Sequence, residues 1–112
     1  MAREWQQTKM TDFLLPDEVY YQCLWAVRDL RRMERAAMEM KKREGYSPLQ
    51  IMNMEARVRA IRGALCQVPE AYREYIMRSI IAHDTGRNFP TDMWKPWKQK
   101  FLYNVAVNLS IV

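Results

Sequence analysis

Lysines, arginines and aromatic residues interleave near the C-terminal end of this 112-residue chain. Ammonium and guanidinium groups bind phosphates, an amide can hydrogen-bond a base edge, and a tyrosine ring can stack on a base. Lysine–phosphate contacts weaken as salt rises, because they release counterions. The pattern predicts a surface for an acidic partner, DNA first, with a solvated lysine face as the alternative. The candidate binding residues are Arg87, Lys95, Lys98, Gln99, Lys100 and Tyr103.

No residue pattern in the chain is typical of catalysis. A catalytic site needs a nucleophile with a base, a metal cluster or paired carboxylates, and the sequence has neither zinc-ligand spacing nor a glycine-rich phosphate loop. The only histidine, His83, precedes Asp84 at a predicted helix end, where a cation suits the helix dipole. We therefore expect no catalytic residue, no metal and no cofactor, and a protein that is not an enzyme.

Composition and charge define the class of protein. The 49% apolar content is ample for a packed core, and the formal net charge of +5 favours phosphate-bearing or acidic partners. The N-terminus lacks the apolar segment of a signal peptide, and no run approaches the roughly 18 to 20 apolar residues of a membrane span. We expect a cytoplasmic protein without membrane contact. Cys23 and Cys66 each lie in an apolar helical stripe, which predicts buried, reduced thiols.

The chain predicts an all-α, four-helix single domain over 1–112. The first helix is expected over 16–42, and the second opens at an N-cap, Ser47, followed by proline and ends near Val68. Apolar residues on both helices alternate steps of three and four, and the connection near Gly45 is short. This favours an antiparallel hairpin over 16–68, with an intermolecular coiled coil, and hence a homodimer, as the alternative. Residues 1–15 form an N-terminal arm, in which Trp5 and Phe13 are candidates to pack onto the bundle.

A C-terminal helix pair is expected over 69–112. The third helix begins after Pro69, and the fourth is capped by Thr91 or Asp92 and runs to about Leu109. Lys98 should extend along the core side of the fourth helix, whereas Lys95, Gln99, Lys100 and Tyr103 should lie outside that side, with Arg87 in the preceding loop. The residues predicted to face the core are Trp94, Trp97, Phe101, Leu102, Val105, Ala106 and Leu109.

Two segments carry a resemblance to a known family: IRGALCQVPEAYR at 61–73 and WKPWKQKFLYNVA at 94–106. Together they resemble small prophage proteins of Gram-positive bacteria, similar to ArpU- and RinA-like phage transcriptional regulators. The resemblance implies that the last helix corresponds to the recognition helix of a helix-turn-helix like region 4 of a sigma factor. The chain departs from that pattern between Ala82 and Thr91, where there are too few residues for the extra helix such a unit places before its recognition helix.

The sequence-based hypothesis is a phage or mobile-element regulator that binds nucleic acid through its last helix. A small phage inhibitor that binds a host nuclease, of the anti-CRISPR kind, is the main alternative, and a coiled-coil dimerisation module is the third. A regulator should depend on Lys95, Lys98 and Lys100 and lose affinity steeply with salt. An inhibitor should depend on exposed aromatic and arginine side chains instead.

Overall fold

Five α-helices make up the described part of the chain, residues 13–111 of a computed structural model, and no strand occurs there. The predicted all-α class is confirmed. Residues 1–12 of the predicted N-terminal arm, which include Trp5, lie outside the described residues. The helices are α1 (Asp17–Arg28), α2 (Leu30–Lys42), α3 (Pro48–Cys66), α4 (Glu70–Ile81) and α5 (Trp94–Asn108).

The predicted first helix, 16–42, is wrong in one respect, because it is interrupted at Asp29. There φ is −87° and ψ is −2°, and the carboxylate accepts two hydrogen bonds of 2.5 Å from the guanidinium of Arg32. Arg28 Nε donates to the carbonyl oxygen of Ile80 at 2.8 Å and so ties the end of α1 to α4. The break lets α1 pack on α4 and α5 while α2 packs on α3, which makes five helices instead of four.

The predicted hairpin exists, but only α2 and α3 form it. Arg62 of α3 pairs with Glu34 of α2 at 2.8 Å, and Lys41 of α2 pairs with Glu55 of α3 at 3.3 Å. Seven residues forward along α2 therefore correspond to seven residues back along α3, so the two helices run antiparallel. The N-terminal half of the predicted first helix of that hairpin, now α1, packs on α4 and α5 instead.

The start of α3 agrees with its sequence signals. Gln50 N donates to Ser47 Oγ at 3.2 Å, and Ser47 N donates to Gln50 Oε1 at 2.9 Å, which completes a capping box with Pro48 as the first helical residue. At the other end, Arg73 Nε donates to the carbonyl oxygen of Val68 at 2.8 Å. The hydrogen bond from Arg73 therefore fixes the connection between α3 and α4.

Helix α5 lies at the centre of the fold and packs against α1, α3 and α4. Trp97 and Leu109, which were expected in the core, are only half-buried. The predicted cap at Thr91 or Asp92 is wrong: α5 begins at Trp94, and its N-cap residue makes no side-chain capping hydrogen bond. The fully or almost fully buried apolar residues of α5 are Trp94, Phe101, Leu102, Val105 and Ala106, as predicted.

The two cysteines differ in environment. Cys23 is buried in the core, and burial raises the pKa of its thiol to about 11, so the neutral form is favoured. Cys66 is exposed, which corrects the prediction of a buried thiol. The buried side of α3 passes through Ala60, Ile61 and Ala64, and Cys66, the last residue of the helix, lies away from it.

Candidate functional site

The three lysines predicted to bind together do not share one face of α5. Because successive helical residues are turned by about 100°, Lys95 and Lys100 emerge about 140° apart. Lys98 Nζ donates to Ser79 Oγ of α4 at 2.9 Å, and Lys95 Nζ pairs with Asp92 at 3.3 Å. Lys98 follows the core side of the helix, as expected, and the three lysines do not form one continuous surface.

Gln99 is buried, which corrects its predicted place on the surface. Its side chain is 2% exposed, and Nε2 donates to the carbonyl oxygen of Phe13 at 2.7 Å. The segment that ends in the buried Leu15 covers this side of α5. Gln99 therefore holds the N-terminal segment against the central helix.

An aromatic–lysine cluster, defined as Phe13, Trp97, Lys100 and Tyr103, lies on the outward side of α5. Lys100 Nζ is 4.6 Å from the ring centroid of Trp97 and 5.6 Å from that of Phe13, both within the range of cation–π attraction. The rings of Phe13 and Tyr103 meet edge to face, with centroids 5.4 Å apart. All four side chains are half-buried, so the cluster presents a fixed ammonium group and parts of several rings to solvent.

The loop 82–93 is held against the bundle at two points. Asp84 Oδ1 accepts a hydrogen bond from Gly86 N at 2.9 Å, and Asp84 Oδ2 pairs with Arg78 of α4 at 3.2 Å. Phe89 stacks on Tyr75 at 4.7 Å and meets Trp94 edge to face at 5.5 Å. These contacts fix the position of the loop that carries Arg87.

A polar recess of about 390 Å³ lies between this loop and the start of α5. Arg87 and Lys95 both line it, together with the side chains of Thr85 and Thr91. Asp92 lies there too and partly neutralises Lys95 through their ion pair. The structure thus brings Arg87 close to Lys95, and Lys100 close to Tyr103, as two separate groups.

Residues 82–93 contain no further helix, in agreement with the spacing noted in the sequence. Because α5 packs on three helices, only a narrow strip of it faces outward. Pro96, Lys100, Tyr103 and Val107 follow that strip at helical spacing. It offers phosphate and ring contacts, but the amide of Gln99 is not part of it.

Sequence reasoning expected Phe13 to pack onto the bundle, and it does, but it missed the contacts of Phe13 and Trp97 with Lys100. The i, i+3 spacing of Trp97 and Lys100 was a signal for their contact, whereas no local pattern connects Phe13 with α5. A second missed feature is Trp25, which is 65% exposed beside a groove of about 500 Å³ that Tyr21 and Arg57 also line. In the sequence, the only indication of this exposure was that Trp25 lies outside the apolar stripe predicted for the first helix.

Comparison with known proteins adds no relative: no family model, no curated protein and no solved structure matches the chain. Among residues 13–111, no helix is both long and apolar enough to cross a membrane. The same residues include no group of three or more histidine, cysteine, aspartate or glutamate side chains placed to hold a metal ion. The proposal below therefore depends on the geometry of the chain and on its short motifs.

Proposed function

We propose that this chain binds nucleic acid through the outward strip of α5 and the loop before it, as a regulator carried by a phage or another mobile element. The aromatic–lysine cluster carries the proposal. Partly exposed rings stack on bases, and an ammonium group held beside them attracts phosphate. The resemblance of residues 61–73 and 94–106 to phage transcriptional regulators and the net charge of +5 support the same conclusion.

The position of Lys100 suits this role. Its contacts with the rings of Trp97 and Phe13 restrict the ammonium group, so less side-chain entropy is lost when a phosphate binds. Lysine–ring attraction leaves the donors of the ammonium group able to bind an anion. Stacking of one base on an aromatic side chain contributes about 1–3 kcal/mol. Because rings stack on unpaired bases, we expect single-stranded DNA to bind more tightly than a duplex of the same length.

Arg87 and Lys95 provide a second contact region. Both line the recess next to α5, where threonine hydroxyls add hydrogen-bond donors. The ion pair of Lys95 with Asp92 is 3.3 Å long and exposed, and such pairs are weak. A phosphate therefore competes with Asp92 for Lys95, and Arg87 is expected to contribute more affinity than Lys95.

The test measures binding of fluorescent single-stranded and duplex DNA by anisotropy, over a series of salt concentrations. Lys100→Ala should weaken binding and reduce the salt slope by about one phosphate contact, roughly 0.7 for a single strand. Arg59→Ala is the matched control, because Arg59 is exposed on α3 and its loss removes the same charge. If the wild type does not bind DNA at low salt, or if both variants behave alike, the proposal is wrong.

A second candidate, an inhibitor that binds a host nuclease, has one observation in its favour. Trp25 is exposed beside a groove lined by Tyr21 and Arg57, and tryptophan, tyrosine and arginine are the usual hot-spot residues of protein interfaces. For that function Trp25→Ala should abolish inhibition of the nuclease, whereas Lys100→Ala should not. In the coiled-coil alternative, the apolar stripes of α2 and α3 pack against a second copy of the chain. These two helices already bury those stripes against each other, which disfavours that alternative.

A further inference from the structure

The outward face of α2 carries a basic stripe, defined as Arg31, Arg35 and Lys42. At about 100° per residue the three positions fall within about 40° of one another around the helix axis. All three side chains are exposed. Arg35 Nε donates to the carbonyl oxygen of Arg31 at 3.5 Å, which places the Arg35 guanidinium beside the turn that carries Arg31.

The two carboxylates of α2, and that of Asp29 directly before it, are paired with other cations. Within residues 13–111, no carboxylate forms an ion pair with any member of the stripe. Its positive charge is therefore not compensated by an ion pair in the described part of the chain. The pairs that use the neighbouring carboxylates are Asp29 with Arg32, Glu34 with Arg62, and Glu39 with Arg43.

The stripe is electrostatically unfavourable for the helix that carries it. Arg31 lies in the first turn of α2, where acidic residues are favoured; that turn contains none, and Asp29 just before it is paired with Arg32. Arg31 and Arg35 are like charges at i, i+4, a spacing at which they repel. Only Lys42, in the last turn, suits the helix dipole. An anionic partner along this face would remove both penalties.

We propose that the basic stripe binds the sugar–phosphate backbone of the nucleic acid that the chain holds, an inference that rests on the proposed function. From Arg31 to Lys42 the helix rises about 16 Å, which is the length of roughly five phosphates along one strand of a duplex. The cations of the stripe are exposed, and the exposed Met38 lies on the same face. Such a surface contributes affinity and orientation and does not read sequence.

The test compares two triple variants of equal charge in the anisotropy assay. The stripe variant is Arg31→Ala, Arg35→Ala and Lys42→Ala, in which alanine preserves helix propensity. The control variant removes three other exposed cations: Lys41→Ala, Arg43→Ala and Arg59→Ala. Circular dichroism and thermal melting confirm that both remain folded. On duplex DNA the salt slope of the stripe variant should fall by about 2 to 3, at roughly 0.9 per lost contact, and that of the control by less than 1.

The outcomes separate this inference from the proposed function. If the wild type binds and the two triple variants have the same slope, the inference is wrong and the role of Lys100 is unaffected. If the stripe variant loses binding while Lys100→Ala does not, the stripe is supported and the aromatic–lysine cluster is rejected. A wild type that binds neither DNA form at low salt contradicts both.

Discussion

Replacing Gly86 by alanine should destabilise the fold more than the same replacement at Gly45. Both glycines have positive φ, 79° at Gly86 and 101° at Gly45, a conformation that L residues rarely adopt. At Gly45 a new Cβ meets nothing within 4 Å, whereas at Gly86 it would lie 2.5 Å from Cζ2 of Trp94. The indole of Trp94 is only 3% exposed, so it has no open space in which to move.

The expected loss of stability has two contributions, the cost of the left-handed backbone and the cost of the clash with Trp94. Left-handed backbone costs an L residue about 1–2 kcal/mol at either position, and overpacking of a filled core adds about 1–3 kcal/mol at Gly86 alone. With an unfolding entropy of about 2.1 cal/mol/K per residue, 1 kcal/mol corresponds to about 4 °C in this 112-residue chain. Gly45→Ala should lower Tm by roughly 4–8 °C, and Gly86→Ala by roughly 8–20 °C.

Calorimetry or thermal circular dichroism of both variants gives the comparison directly. Gly86→Ala should also weaken binding of DNA to the recess, since the displaced loop carries Arg87. A Tm loss at Gly86 equal to or smaller than that at Gly45 would show that the loop does not pack against Trp94 as described. The cost of the left-handed backbone is common to both variants, so any larger Tm loss at Gly86 reports the contact with Trp94.

Two further predictions concern buried polar and sulfur groups. Gln99→Ala should lower the free energy of unfolding in urea by about 1–3 kcal/mol, because the carbonyl of Phe13 loses its buried donor, and an unchanged value would refute that contact. A thiol reagent at pH 8 should modify Cys66 quickly and Cys23 only on unfolding. Because the folded pKa of Cys23 is raised to about 11 from 9.0, its contribution to stability is complete below pH 9 and is lost as pH rises towards 11. Relative to Cys23→Ala, the wild type should therefore lose stability over that range.

Local signals were sufficient where the structure depends on neighbours in sequence. Ser47 and Pro48 predicted the start of α3 because a cap needs only the amides that follow it within one turn. The buried side of α5, with Phe101 and Val105, followed from helical periodicity. The class of fold and much of the core were therefore accessible from the sequence.

The errors arose where distant segments decide the outcome. Gln99 looked like a surface amide until the carbonyl of Phe13, 86 residues away, supplied its acceptor. The interruption at Asp29 depends on α1 and α2 packing on different helices, which a continuous apolar stripe does not reveal.

The α2–α3 hairpin has a mechanical consequence. Residues 41–50, at its far end, are all exposed, and the fully buried residues of α3 begin only at Ala60. Asn108 Nδ2 of α5 donates to the carbonyl oxygen of Ala60 at 3.0 Å, so α3 is anchored in its second half. Opening the tip costs little burial, whereas opening the base disrupts the central helix. Amide protons along α3 should therefore exchange with solvent on two time scales. Those near Leu49 exchange fast through local fraying, and those near Ile61 exchange slowly through global unfolding.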